Sequence, residues 1–101
     1  MAEVVTIVTG AIPEGREQEV VDPYREGLKE GPPPDIEETF LLRAEGGQMA
    51  IVSVWHRRAG LDAMLASGEE PFARRLIREA GGTPDVRIYD IVHRATTTSG
   101  A

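Results

Sequence analysis

The sequence predicts an α+β fold with the element order β-α-β-β-α-β, and three observations predict it. The segment 48–58 (QMAIVSVWHRR) opens with a β-branched, apolar run that ends in the only tryptophan of the chain. Such a run is typical of a central strand covered on both faces. Two further β-branched runs, at 4–9 and 86–92, indicate strands near the two ends of the chain. Between these strands, apolar residues recur every three or four positions, as in amphipathic helices.

The first strand and the first helix come from an acidic part of the chain. Residues 4–9 are apolar at odd and even positions, so this strand is also predicted to be central. A helix is predicted over 16–30, because an apolar face recurs every fourth residue at Val20, Tyr24 and Leu28. Pro23 leaves two interpretations open: one kinked helix, which we favour, or a new helix capped by Asp22. The segment 31–35 (GPPPD) ends this region.

The second and third strands are predicted to form a hairpin around the turn 45–47 (EGG). Residues 36–44 alternate in polarity, which is typical of an edge strand. Its apolar face is expected to carry Ile36, Phe40, Leu42 and Ala44. In the third strand, alternation predicts one face with Met49, Ile51, Ser53 and Trp55. The other face is predicted to carry Ala50, Val52 and Val54.

The helical region at 58–80 is predicted to consist of a short and a longer helix. The short helix is marked by Leu61, Met64 and Leu65. Ser67 and Glu70 have the spacing of a capping box for the longer helix, with Pro71 in its first turn. Its apolar face is predicted to contain Phe72, Ala73, Leu76, Ile77 and Ala80. Two glycines then end it before the last strand at 86–92.

Length and composition predict one domain over 1–93 and a small, polar, disordered tail at 94–101. The chain has no cysteine, which excludes disulfides and thiolate chemistry. No segment has the length and hydrophobicity of a signal sequence or a membrane span, so we expect a cytoplasmic protein with no membrane partner. The net charge of −6 comes without a basic stripe, which predicts no nucleic-acid partner.

This order of elements predicts the ferredoxin-like fold, a four-stranded antiparallel sheet with helices on one face. One sheet face is expected to combine Val4, Thr6 and Val8 with Ala50, Val52 and Val54. The opposite face is expected to combine Val5 and Ile7 with Met49, Ile51 and Trp55. Two helical regions cover only one face, and a large uncovered apolar face is rare in a monomer. We therefore predict a homodimer in which two sheets pack face to face.

The same residues carry a resemblance to a known family. A third strand that closes on tryptophan (IVSVWHRR), then LDAMLASGEEPFARRL and a terminal VRIYDIV, is similar to the antibiotic biosynthesis monooxygenase domain family. The similarity covers roughly residues 3 to 93 and implies a dimeric α/β barrel. The family includes cofactor-independent oxygenases of phenols and quinols, haem-degrading enzymes and members without a known reaction. It also implies a pocket between sheet and helices, bordered by the tryptophan.

The resemblance suggests roles for eight residues. Substrate contacts are expected from Trp55, Met49, Met64 and Phe72. The catalytic candidates are His56 or His93 as base and Arg75 or Tyr24 as hydrogen-bond donor. The alternative for each is structural: core packing for the apolar and aromatic side chains, and a solvated surface for the histidines and arginines. Met64 stands where haem-degrading relatives carry a histidine ligand, which disfavours haem breakdown.

The sequence thus predicts a possible enzyme, a cofactor-independent monooxygenase that acts on a small phenolic, quinol or polyketide-type aromatic compound. The two histidines are expected about 10 Å apart, two strand spacings, which is too far for one metal ion. We also find no fingerprint for flavin or phosphate binding. We therefore predict no metal and no cofactor. The alternative function is a non-catalytic dimeric module of the same fold that binds a small ligand or assists a neighbouring enzyme.

Overall fold

The computed structural model describes residues 3–97, so the last part of the predicted tail at 94–101 lies outside the described residues. The strands are β1 (Val4–Ala11), β2 (Ile36–Arg43), β3 (Gln48–Trp55) and β4 (Asp85–Asp90). The helices are α1 (Gln18–Gly27), α2 (Arg58–Ala66) and α3 (Phe72–Glu79). The strands form one antiparallel sheet in the order β2-β3-β1-β4. The predicted α+β, ferredoxin-like fold is confirmed.

The residues of β1 and β3 that point to the same side of the sheet differ from the predicted ones. In the antiparallel register, Val4 pairs with Trp55 and Val8 pairs with Ile51. Directly opposite residues point to the same face of a sheet. The face toward the helices therefore carries Val4, Thr6 and Val8 together with Met49, Ile51, Ser53 and Trp55. The predicted grouping of Val4, Thr6 and Val8 with Ala50, Val52 and Val54 is wrong.

A β-bulge at Glu37 changes the faces of β2. Ile36 pairs with Trp55 but Glu38 pairs with Val54, so two steps on β2 match one step on β3. As a result Ile36 packs toward the helices against Val4, Trp55 and Leu61. Phe40 and Leu42, opposite Val52 and Ala50, lie on the other face of the sheet. The predicted common face of Ile36 with Phe40 and Leu42 is therefore wrong, because alternation alone does not allow for a bulge.

The helices pack on one face of the sheet and form the main core. Val20 from α1 and Leu76 and Ile77 from α3 are buried against Val8 and Ile51. The helix α1 continues through Pro23 as one helix, as we favoured. The helical region 58–80 is divided into α2 and α3, also as predicted. No helix within residues 3–97 is long and apolar enough to cross a membrane.

The connection between α2 and α3 differs from the predicted capping box. The Ser67 hydroxyl donates a hydrogen bond to the Met64 carbonyl over 2.7 Å and accepts one from the Glu69 amide over 3.3 Å. Ser67 thus ends α2, and α3 begins after Pro71 without a side-chain cap. The Glu70 carboxylate accepts hydrogen bonds of 2.7 to 3.2 Å from the guanidinium of Arg78, which lies in the last turn of α3. The Ser67–Glu70 capping box is therefore wrong.

The second face of the sheet carries apolar side chains, and none of the helices within residues 3–97 covers it. Among its large side chains, Phe40 is 41% exposed, and Leu42 and Tyr89 are each 49% exposed. Between them lie the half-buried central positions Val5, Ile7 and Val52. We call these six residues the open sheet face.

Candidate functional site

A cavity of about 480 Å³ lies between the sheet and the helices. The sheet contributes side chains from all four strands, and the helices contribute the end of α1, most of α2 and the start of α3. The walls are predominantly aliphatic or aromatic, and the space is large enough for a small planar ligand.

Trp55 forms part of the cavity wall at the end of β3. Its side chain is 6% exposed, and its Nε1–H donates a hydrogen bond to the Thr6 hydroxyl over 3.1 Å. Thr6 lies on the neighbouring strand β1 and also lines the cavity. A buried indole N–H without a partner costs free energy, so this contact lets Trp55 pack inward.

Three hydroxyl groups form a connected polar strip along the same cavity. The Tyr24 hydroxyl donates to Thr39 Oγ1 over 3.0 Å, and the Ser53 hydroxyl donates to the same oxygen over 3.4 Å. All three residues line the cavity. A threonine hydroxyl has two acceptor sites and one donor, so with both acceptors occupied the Thr39 O–H remains a donor for a ligand oxygen.

Asp35 supplies the one carboxylate among the cavity-lining side chains of the described chain. It directly precedes β2 and lies against Gly60 in the first turn of α2. A β-carbon at position 60 would lie 2.8 Å from Asp35 Cγ, so only glycine leaves room for this carboxylate. Sequence reasoning missed Asp35 as a site residue. The available signal was Gly60 itself, since glycine inside a helix costs about 1 kcal/mol relative to alanine and calls for a packing reason.

Four of the eight residues proposed from the sequence lie together in the cavity wall: Tyr24, Trp55, Met64 and Phe72. Met49 belongs instead to the main core beside Val8, with 2% of its surface exposed. Met49 is the second residue of β3 and is not among the residues that line the cavity. The functional roles of these residues stay predictions.

The other three residues, His56, His93 and Arg75, are not among those lining the cavity. His93 is exposed beyond β4. His56 follows β3, and its Nδ1 lies 3.6 Å from Glu37 Oε1. Glu37 also accepts a 2.7 Å hydrogen bond from Arg94, which with the nearby charges holds the pKa of that carboxyl below its usual value. The Arg75 guanidinium lies outside, 5.6 Å from the centre of the Phe72 ring.

Within residues 3–97, no three histidine, aspartate or glutamate side chains are close enough together to hold a metal ion. What the cavity offers is an aromatic wall, a strip of hydroxyl groups and one carboxylate. This arrangement suits a neutral, largely apolar ligand that carries a few hydroxyl or carbonyl oxygens.

Comparison with solved structures shows the same fold in three proteins. A protein of unknown function from Nitrosomonas europaea, NE2512, superposes with a TM-score of 0.70 at 15% identity, covering 98% of each chain. A structure described as an antibiotic biosynthesis monooxygenase gives 0.61 at 18% identity, covering 91% of this chain and 99% of its own. SnoaB from Streptomyces nogalater, described as a cofactor-independent oxygenase, gives 0.60 at 15% identity over the full length of both chains.

No protein-family model matches the sequence, and the comparison with curated proteins found no match. Identities of 15 to 18% show a shared fold and nothing finer. At that level, the predicted resemblance to antibiotic biosynthesis monooxygenases is confirmed.

Proposed function

We propose that this chain binds a planar phenolic or quinol compound in the cavity and oxygenates it without a cofactor. The observation that carries the proposal is the apolar cavity of about 480 Å³ with Trp55 in its wall and three hydroxyl groups along one side. The description of the structural neighbour SnoaB as a cofactor-independent oxygenase supports the choice of reaction.

A hydroxyanthrone, which carries phenolic hydroxyls, a ketone and an acidic CH₂ group, illustrates the chemistry. Loss of a proton gives an electron-rich carbanion that reduces O₂ directly and forms a carbon–oxygen bond to it. The resulting hydroperoxide then loses water. Overall the CH₂ carbon is oxidised by four electrons to C=O, one oxygen atom enters the product, and the other leaves as water with the two hydrogens. The substrate itself supplies all the electrons, so no metal or flavin is needed.

The protein would contribute position, a dry environment and hydrogen-bond donors. Trp55 offers an aromatic surface against which a planar ring can stack. The Thr39 hydroxyl, held by Tyr24 and Ser53, would donate to the oxygen on which negative charge develops. The roles of His56 or His93 as base and of Arg75 as donor stay proposals for a ligand large enough to reach beyond the cavity.

Oxygen consumption with 1,8-dihydroxyanthrone, followed together with formation of the quinone, tests this proposal. The chain has two tyrosines, which provide a matched pair. Tyr24→Phe removes a hydroxyl from the cavity, whereas Tyr89→Phe makes the same change on the open sheet face. We expect Tyr24→Phe to lower kcat by up to roughly 10²-fold, the effect of losing one donor to an oxyanion, because the Thr39 donor loses the hydrogen bond that holds it in place. Tyr89→Phe should keep the wild-type rate. Equal rates with and without protein would contradict the proposal.

One observation favours a second candidate, a non-catalytic module that binds the same class of ligand. Among the described residues that line the cavity, none carries an imidazole or a guanidinium group. A binding module needs neither. The two functions are distinguished when aromatic ligands quench the Trp55 fluorescence: uptake of O₂ in the same sample indicates the oxygenase, and quenching without uptake indicates the binding module.

The proposed assembly is a homodimer formed through the open sheet face. Its exposed Phe40, Leu42 and Tyr89 surround half-buried β-branched residues on the two central strands. Burying such a face contributes about 25 cal/mol per Å² of apolar surface, and permanent dimers use interfaces of this apolar character. The dimer would leave the cavity on the opposite side of the sheet accessible. A cytoplasmic location is part of the same proposal.

A further inference from the structure

We propose that Asp35 determines the ligand class of the cavity by accepting a hydrogen bond from a ligand hydroxyl. The preferred ligand is then an uncharged aromatic compound with a hydroxyl group at the α2 end of the cavity, and carboxylated analogues are rejected. This inference rests on the proposed function, because it concerns the ligand of the same cavity.

The carboxylate of Asp35 is free of protein partners within residues 3–97. It takes part in no ion pair and accepts no side-chain hydrogen bond there. Many other acidic side chains are paired with a cation, among them Glu17, Glu19, Glu26, Glu37, Glu70, Asp85 and Asp90. Asp35 is an exposed residue at the cavity wall, so its unpaired carboxylate is accessible and keeps its acceptor capacity for a ligand.

Local structure fixes where this carboxylate lies. The main-chain carbonyl of Asp35 accepts a 3.0 Å hydrogen bond from the His56 amide, which ties the start of β2 to the end of β3. The three prolines that precede it, at 32–34, restrict the backbone that leads into β2. Because the main chain at Asp35 is already restricted, binding a ligand requires little further ordering of the backbone.

Gly60 sets the position of the Asp35 side chain from the other side. A β-carbon at position 60 would lie 2.8 Å from both Cβ and Cγ of Asp35 and 3.1 Å from Oδ1. The carboxylate therefore lies directly against the first turn of α2, whose partial positive charge favours a negative group. Both residues line the cavity, so the same contact that holds the carboxylate also exposes it to the ligand.

The charge of Asp35 gives the selectivity. A neutral hydroxyl donates to a carboxylate in a charge-assisted hydrogen bond. A ligand carboxylate at the same point would meet a like charge with few compensating cations, since none of the described cavity-lining residues is lysine or arginine. The negative charge of Asp35, where the cavity meets the first turn of α2, therefore determines the ligand class.

The test uses 1,8-dihydroxyanthraquinone and its monocarboxylate, with binding followed by quenching of Trp55 fluorescence. Wild-type protein should bind the uncharged compound at least roughly 10-fold more tightly, as a charge-assisted hydrogen bond allows. Asp35→Asn keeps the shape and removes the charge, so the preference should fall to about 3-fold or less. Gly60→Ala, which displaces the carboxylate, should lower affinity for the uncharged compound.

Asp62→Asn provides the matched control. Asp62 is an exposed aspartate on α2 that does not line the cavity, so this variant changes net charge without changing the site. It should keep the wild-type preference. A preference that is unchanged in Asp35→Asn, or lost equally in Asp62→Asn, would overturn the role of Asp35 while leaving the proposed function standing. Absence of quenching by both compounds in the wild-type protein would overturn the proposed binding function itself.

Discussion

Replacing Thr6 by valine should destabilise the protein through Trp55, although Thr6 is a small residue on a strand. Valine has nearly the shape of threonine, so the change removes one hydroxyl and leaves the packing volume intact. The indole Nε1–H of Trp55 then loses its 3.1 Å acceptor. Trp55 and Thr6 are only 6% and 8% exposed, so bulk water reaches the N–H poorly.

The size of the effect follows from that burial. A buried donor left without a partner costs about 1–3 kcal/mol. For a domain of about 100 residues, each kcal/mol lowers Tm by about 4–8 °C, so a central value of about 2 kcal/mol corresponds to about 8–16 °C. The same loss should free the indole to turn in the cavity wall, which weakens ligand stacking as well as folding.

Thermal unfolding, followed by far-UV circular dichroism and by Trp55 emission at one fixed protein concentration, measures this loss. Thr6→Ser retains the hydroxyl and should recover most of the hydrogen-bond contribution. Thr9→Val makes the identical chemical change on the other face of β1, where no side-chain hydrogen bond of Thr9 occurs within residues 3–97, and should leave Tm nearly unchanged. If Thr6→Val and Thr9→Val unfold at the same temperature as the wild type, the Trp55–Thr6 contact does not stabilise the fold and our reasoning about the buried donor is wrong.

Two further predictions concern the assembly and the helix junction. Val52→Asp should abolish the homodimer, and the fold together with it, because it places a charge at the centre of the open sheet face; sedimentation equilibrium at low micromolar concentration is the measurement, and a folded wild-type monomer of 11.0 kDa would contradict the dimer. The hydrogen bonds from Arg78 hold the pKa of Glu70 below its ordinary 4.5, so this pair stabilises the protein above that pH and its contribution is lost as the pH falls further. Wild-type protein should therefore be more stable than Glu70→Gln at pH 7 in urea unfolding, and the difference should shrink toward pH 3; a constant difference would show that the pair does not act through ionisation.

The sequence predicted the order of elements well because each element has its own local signal. The β-branched run ending at Trp55 indicated β3 almost to the residue, and the change of period after Arg58 indicated α2 and α3. Pairing between distant strands has no such signal. Whether Val8 lies beside Ile51 or Val52 depends on tertiary packing, and for that reason the face grouping was wrong while the strands themselves were correct.

Site residues could be predicted where an aromatic residue lies on the apolar face of a helix. Tyr24 and Phe72 were identified from helical periodicity, and both line the cavity. Asp35 was missed because, at the end of a proline run, it resembles an ordinary helix-terminating residue. Its importance to the cavity depends on Gly60, which is 25 positions later in the chain. A contact of that range follows from the fold and cannot be inferred from local pattern.

The alternation of side chains along β3 has an evolutionary consequence. Ile51, Ser53 and Trp55 face the cavity, whereas Val52 and Val54 belong to the opposite side of the same strand. Neighbouring residues of β3 therefore have separate surroundings, the cavity for one set and the opposite side of the sheet for the other. A new ligand preference can arise by substitutions at every second position without disturbing the opposite surface.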